Sequence, residues 1–207
     1  MKTKTANTVE WLPVSLAFIK RWLNLRYENA DLPGFVVAIA HKGQLVFNQA
    51  YGYANLEKKE KLTTKHIFRI ASHSKTFTAT AIMQLKEKGK LCLDDYVVDY
   101  LPWLNKHKNK QIAKITIRQL LSHSAGLIRD GLDKDYWQLL HPFPNKVQLQ
   151  RAILNADLIF EPNVRMKYSN FGYALLGMVV EAVSVQPYEY YVKKKYYRST
   201  QAGRYGS

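Results

Sequence analysis

Disulfide chemistry is the first thing this 207-residue chain cannot use: it holds one cysteine, Cys92, so no internal bridge can form. Metal-ligand pairs are missing too. The six His are scattered, and no His or Cys pair stands at ligand spacing, which argues against a metal site. Acidic residues are few, 16 against 31 Lys and Arg, leaving a formal net charge of +15. Such an excess can mark an anionic partner. Here the Lys residues are spread along the chain, with local clusters at Lys106, Lys108, Lys110 and Lys114 and at Lys193, Lys194 and Lys195. No nucleic-acid motif accompanies them, so a solvated basic surface is expected and no nucleic-acid partner. Long apolar runs are also lacking. The stretch 11–25 is broken by Pro13, Ser15, Lys20, Arg21 and Asn24, which excludes a membrane span or a signal peptide there. A chain that begins at Met1 is expected in the cytoplasm; a start further upstream would leave a periplasmic or secreted location open.

What is present is ample apolar material. The chain is 47% hydrophobic and 13% aromatic, enough for a packed core in one large domain or two small ones. Leu12, Leu16, Ile19, Leu23 and Tyr27 recur at helical spacing and predict an amphipathic helix, stopped by Leu32-Pro33-Gly34. Two strand-like runs, 35–40 and 44–50, flank Lys42-Gly43 and predict a hairpin, with 51–55 leading away from it. Ile67-Phe68-Arg69-Ile70 is strand-like as well. Residues 72–88 favour helix, closed by Gly89, and Leu93-Asp94-Asp95 opens a short helix ending at Leu101-Pro102. Thr116 is a good N-cap, and 171–183 is an apolar helix. The order predicts an α+β plan, an antiparallel sheet with a helical region over about 76–183. Apolar periodicity is lost after Val192, so 193–207 reads as a disordered tail.

Two patterns carry chemistry. Ser72-His73-Ser74-Lys75 places a hydroxyl and an amine three residues apart, on one face if a helix opens there. That pairing turns a weak alcohol into a nucleophile. A Ser-x-x-Lys match alone is weak, since about one is expected by chance in a chain of this length. Its context is better: a helix N-terminus exposes the serine and favours a developing oxyanion. Tyr-x-Asn occurs at Tyr27-Glu28-Asn29, Tyr53-Ala54-Asn55 and Tyr168-Ser169-Asn170. Only the third stands in a loop before an apolar helix, where a tyrosine can relay a proton and an asparagine can hold a substrate amide or the lysine.

Four runs, in this order, make the chain recognisable: 68–75; 89–95 with Tyr100-Leu101-Pro102; Leu120-Leu121-Ser122-His123-Ser124-Ala125-Gly126-Leu127; and Phe160-Glu161-Pro162 through 168–177. Over about residues 32–192 the chain resembles the penicillin-recognising serine hydrolases, the branch of class C β-lactamases, D-Ala-D-Ala peptidases and related esterases. The resemblance implies a β-lactamase/transpeptidase-like fold and an acyl-enzyme on Ser72. Lys75 would be its base or tune that base, Tyr168 would pass the proton to the leaving group, and Asn170 would position Lys75 and the substrate. The substrate would be a small molecule or peptide, a lactam, a D-Ala-D-Ala peptide or an ester, with no cofactor and no metal.

Three departures stand against the family pattern. Asn163 replaces the usual Gly after the Pro, and Asn tolerates a left-handed turn. Ser124-Ala125 replaces Thr-Ser after His123, for which a loop-fixing role is expected over a catalytic one. The third motif, a Lys- or His-led triplet ending in Gly on a later core strand, has no counterpart. The expectation is therefore a C-terminally truncated domain over 1–192, lacking the last core strands and impaired in turnover; the alternative is a non-catalytic remnant or ligand-binding module. The tail admits two origins. The run from Lys193 to Thr200 is compatible with a one-base slip in an adenine run, or the C-terminus is divergent or cut short.

Overall fold

The computed structural model describes residues 11–130 and 142–199, and the chain divides into two compact units, Met1–Arg69 and Ile70–Ser207. The first unit opens with α1 (Trp11–Glu28) and continues into β1 (Gly34–His41) and β2 (Gln44–Asn55), paired antiparallel. The hairpin turn is Lys42-Gly43, both with positive φ (48° and 76°), the backbone of a type I′ turn whose twist matches the strands. β2 does not leave the sheet at residue 50. It runs on to Asn55 and pairs with β3 (Glu60–Lys61) in the order β1-β2-β3, the only sheet among the described residues. Gly52 permits that extension: its φ is +79°, and a Cβ there would lie 2.3 Å from the Pro33 carbonyl.

Helix α1 rests on this sheet through few groups. Phe35 and Tyr51 stack at 4.8 Å, with the Tyr27 ring 6.1 and 6.3 Å away, and Leu23 and Tyr51 are the buried hydrophobics of the described part of the unit. Trp11, Val14, Phe18, Trp22 and Leu25, at helical spacing, are all exposed. The strand-like run Ile67-Phe68-Arg69-Ile70 forms no strand, and Ile67 is fully in solvent. β-propensity needs a neighbouring ladder to satisfy the backbone, and none runs beside this segment among the described residues.

The second unit is helical. A 3-10 turn, Ala71–His73, leads into α2 (Ser74–Glu87), so the helix starts two residues later than the pattern suggests. Gly89, at φ +65°, closes it in a Schellman arrangement, with Lys90 N–H on Leu85 O and Gly89 N–H on Lys86 O. The short helix expected from Leu93 forms later, as α3 (Val97–Tyr100), because the Asp95 carboxylate instead ties a turn by accepting the Cys92 N–H and the Tyr100 hydroxyl. α4 (Ile117–Leu121) begins with the expected Thr116 cap, a full capping box with Gln119. α5 (Lys146–Asn155) has a second box, Asn145 with Gln148. α6 (Asn170–Ser184) is capped by Ser169 and ends at Val185 in the left-handed region. α7 (Tyr188–Ser199) continues through 193–199, where a disordered tail was expected. Lys, Arg and Tyr are adequate helix formers, and Tyr191 buries on the unit while the Tyr188 hydroxyl meets that of Thr78 at 2.6 Å, so the helix is anchored at its start. Residues 200–207 lie outside the described part.

The core of this unit joins Ala81, Ile82 and Leu85 of α2 to Phe171, Leu175, Leu176, Val179 and Val180 of α6, with Leu104, Ile112 and Ile117 beneath. Each of the Leu, Ile, Val and Phe side chains among these, fully removed from water, contributes about 1.5–3 kcal/mol. The α2–α6 contact is therefore the best-secured part of the molecule, and the N-termini of these two helices carry the site.

Candidate active site

Ser72 lies in the 3-10 turn ahead of α2, held out into solvent. The residue before it, Ala71, has φ +43°, a left-handed conformation that costs a non-glycine residue about 1–2 kcal/mol. Strain of that kind at the residue preceding an exposed hydroxyl fixes its direction. Three residues on, in the first turn of α2, Lys75 reaches back with Nζ 3.4 Å from Ser72 Oγ. The predicted i,i+3 meeting is thus present.

The other half comes from the loop before α6. Tyr168 Oη lies 2.6 Å from Ser72 Oγ, and Lys75 Nζ donates to Asn170 Oδ1 at 2.7 Å. The Lys75 ammonium also lies 4.8 Å from the Tyr168 ring centroid and 5.6 Å from that of Tyr173. All four residues singled out in the sequence, Ser72, Lys75, Tyr168 and Asn170, therefore form one hydrogen-bonded cluster within the second unit. The two other Tyr-x-Asn copies do local work: the Asn29 amide donates to Leu25 O at the end of α1, and Asn55 Oδ1 accepts the Lys58 N–H in a turn.

Electrostatics favour an ionisable Tyr168. Burial pushes its phenol up, but hydrogen bonds from Lys75 and Ser72, with the charges of Lys75 and Arg129, outweigh it and leave the phenol below its ordinary value. His123 behaves oppositely. Burial, then the Lys75 charge, pushes its imidazole below the usual value, so it is neutral at neutral pH. Its Nδ1 accepts the Ser169 N–H at 3.1 Å and its carbonyl accepts the Lys167 N–H at 2.7 Å. Its ring lies 4.7 Å from that of Tyr168 and 5.0 Å from that of Tyr173. These are contacts of a residue that fixes the Tyr168 loop.

The departures from pattern are absorbed locally. Asn163 adopts φ +69°, the left-handed turn expected of it, and its N–H donates to Ser124 O at 2.9 Å. Gly126 (φ +77°) leaves no room for a side chain, because a Cβ would stand 2.0 Å from the Phe160 carbonyl. Sequence reasoning missed Arg129 and Asp130. The Asp130 carboxylate is buried, accepts from Asn170 Nδ2 at 2.6 Å and pairs with Arg129 Nε at 3.1 Å. Two adjacent charges after an apolar loop were the available signal, and nothing in spacing tells that one of them is buried. Among the described residues no group of three or more His, Cys, Asp or Glu could hold a metal ion.

The chemistry of this cluster is that of an activated alcohol, with a base beside it and a cation beside the base. Comparison with known proteins gives the family. A family described as Beta-lactamase matches residues 19–202. "Protein flp" of Staphylococcus aureus (strain COL) is 33% identical over 165 residues, covering 80% of this chain and 33% of that protein. Among solved structures, "EstCE1, a hydrolase with promiscuous acyltransferase activity" superposes with a TM-score of 0.74 at 30% identity, over 89% of this chain and 51% of that one. The octameric penicillin-binding protein homologue from Pyrococcus abyssi gives 0.73 at 28% identity, over 88% and 42%. The chain thus spans about a third of the length of the curated relative and about half of the structural ones.

Proposed function

The chain belongs to the beta-lactamase family, and we propose that within it this protein is a serine hydrolase of amide or ester carbonyls, working through an acyl-enzyme on Ser72. The observation that carries the reading is the 2.6 Å contact between Ser72 Oγ and Tyr168 Oη, beside a lysine that touches both Ser72 and Asn170. In the forward step Ser72 Oγ attacks the carbonyl carbon as its proton passes to the Tyr168 oxygen. The carbonyl π electrons move to oxygen, and the N-terminal end of α2 faces that developing charge. Collapse of the tetrahedral species expels the amine or alcohol, which takes the proton from Tyr168. Water then repeats the sequence on the ester carbonyl and frees Ser72. Lys75 stabilises the Tyr168 phenolate and is held in place by Asn170.

The substrate class is a lactam, a D-Ala-D-Ala peptide or a simple ester, since all three present the same acyl carbon to a serine. A structural relative whose name records acyltransferase activity supports an alcohol as a second acceptor in place of water. Hydrolysis of a nitrophenyl ester and of a labelled penicillin by the wild type and by Ser72→Ala tests the proposal. Turnover of either by the wild type, lost in the variant, is expected. No turnover by the wild type, or equal turnover by both proteins, would assign the chain to the ligand-binding alternative.

A further inference from the structure

We infer that Asp130 is a positioning residue of this site: its carboxylate sets the Asn170 amide so that the carbonyl oxygen, and not the NH2 group, faces the Lys75 ammonium. The inference rests on the reading of Ser72 as the nucleophile. A terminal amide can sit either way round with almost no change in shape, so its neighbours must choose. Asn170 has a charged neighbour on each side. Its Oδ1 accepts from Lys75 Nζ at 2.7 Å and its Nδ2 donates to Asp130 Oδ1 at 2.6 Å. Both are charge-assisted hydrogen bonds. Turned over, the amide would set NH2 against an ammonium, which has no acceptor, and oxygen against a carboxylate, which has no donor. Two attractive contacts would become two repulsive ones.

The same dipeptide also holds the backbone. The Arg129 carbonyl accepts the Asn170 N–H at 2.8 Å, and Arg129 Nε lies 3.1 Å from Asp130 Oδ2. The Asp130 side chain is only 5% exposed, so its charge is little screened and both its oxygens have a partner. Asn170 is thereby clamped at main chain and side chain by neighbours in sequence that lie forty residues away along the chain. Lys75, in turn, takes its direction from Asn170. The relay runs Arg129, Asp130, Asn170, Lys75, then Ser72 and Tyr168. Asp130 touches neither substrate nor the reacting atoms; it acts through Asn170.

A merely structural Asp130 would steady the loop and nothing more, so two readouts are needed. The first is the side-chain amide resonance of Asn170 in the full chain, by NMR with labelled asparagine. In the wild type its protons are expected to shift downfield and exchange slowly, and in Asp130→Ala to lose both features. The second is the rate at which a fluorophosphonate labels Ser72, in a double-mutant cycle with Asn170→Ala. Asp130→Ala is expected to slow labelling about tenfold to a hundredfold in the wild-type background, the scale of a misplaced catalytic group. In the Asn170→Ala background it is expected to change the rate by less than about twofold, because the only route of its action is gone. Asp130→Leu, close in size and without an acceptor, serves if Asp130→Ala does not fold, and the exchanged pair Asp130→Asn with Asn170→Asp should keep much of the wild-type rate. Equal losses in both backgrounds, or an Asn170 resonance indifferent to Asp130, would overturn the inference. A wild type that is never labelled would sink the hydrolase reading instead, while the amide resonance still decides the clamp.

Discussion

In the proposed mechanism Lys75 and Tyr168 divide the proton chemistry by charge. The lysine cation and the Ser72 hydrogen bond hold the Tyr168 phenol below its ordinary value against the opposing effect of burial. In the proposed mechanism the base is the phenolate, so labelling of Ser72 is expected to rise with pH as the phenol ionises and to level off above its pKa. Lys75→Met removes the first of the stabilising partners. The rise in a pH–rate profile is therefore expected to move to higher pH, with a lower rate at neutrality. Tyr168→Phe keeps the ring and removes the oxygen; its labelling rate is expected to fall by about two to four orders of magnitude, the usual contribution of a positioned acid–base group. An unchanged pH profile in Lys75→Met would show that the lysine does not tune the tyrosine. At this scale the sequence was informative about identity and silent about orientation. Ser72 and Lys75 meet because one helical turn separates them, which spacing alone reveals. Tyr168 and Asn170 were picked out by their place before an apolar helix and by the family pattern. Asp130 escaped because its importance lies in being buried beside Asn170, a fact of tertiary packing.

The elements show the same division between local and distant causes. Caps and turns are legible: the Thr116 cap, the Lys42-Gly43 hairpin turn and the Gly89 stop each depend on a few adjacent residues. The run 67–70 is strand-like in sequence yet forms no strand, because β structure is decided by a partner strand. The stretch 193–199 lacks apolar periodicity yet continues α7, because the helix is anchored by Tyr188 and Tyr191. Two substitutions test the termini and turns. Val185 ends α6 at φ +55° with its side chain in solvent, a poor place for a β-branched residue. Val185→Gly is expected to stabilise the fold by about 1 kcal/mol, read as a raised denaturant midpoint. Gly126→Ala forces a methyl against the Phe160 carbonyl at a left-handed position. It is expected to destabilise by well over about 1 kcal/mol, and to slow Ser72 labelling even where the protein stays folded, because the loop from Gly126 leads to Asp130.

As a whole molecule the chain is uneven. The second unit has a dense core of helix-borne side chains, whereas among the described residues of the first unit Leu23 and Tyr51 are the only buried hydrophobics. A stripe of Trp11, Val14, Phe18, Trp22 and Leu25 stays exposed on α1. Apolar surface of that extent binds hydrophobic dyes. An environment-sensitive naphthalene sulfonate is expected to fluoresce with the native protein, and Phe18→Glu with Trp22→Glu to lower that signal without moving the labelling rate of Ser72. The site residues all belong to the second unit, so its chemistry rests on the better-packed part of the chain. The most direct measurement of the central claim is the intact mass after exposure to a fluorophosphonate, followed by peptide mapping. One adduct per chain on Ser72, absent in Ser72→Ala and slowed in Tyr168→Phe, is the result predicted here. A wild-type chain that gains no mass, or gains it on another residue, would contradict the assignment of Ser72 as the nucleophile.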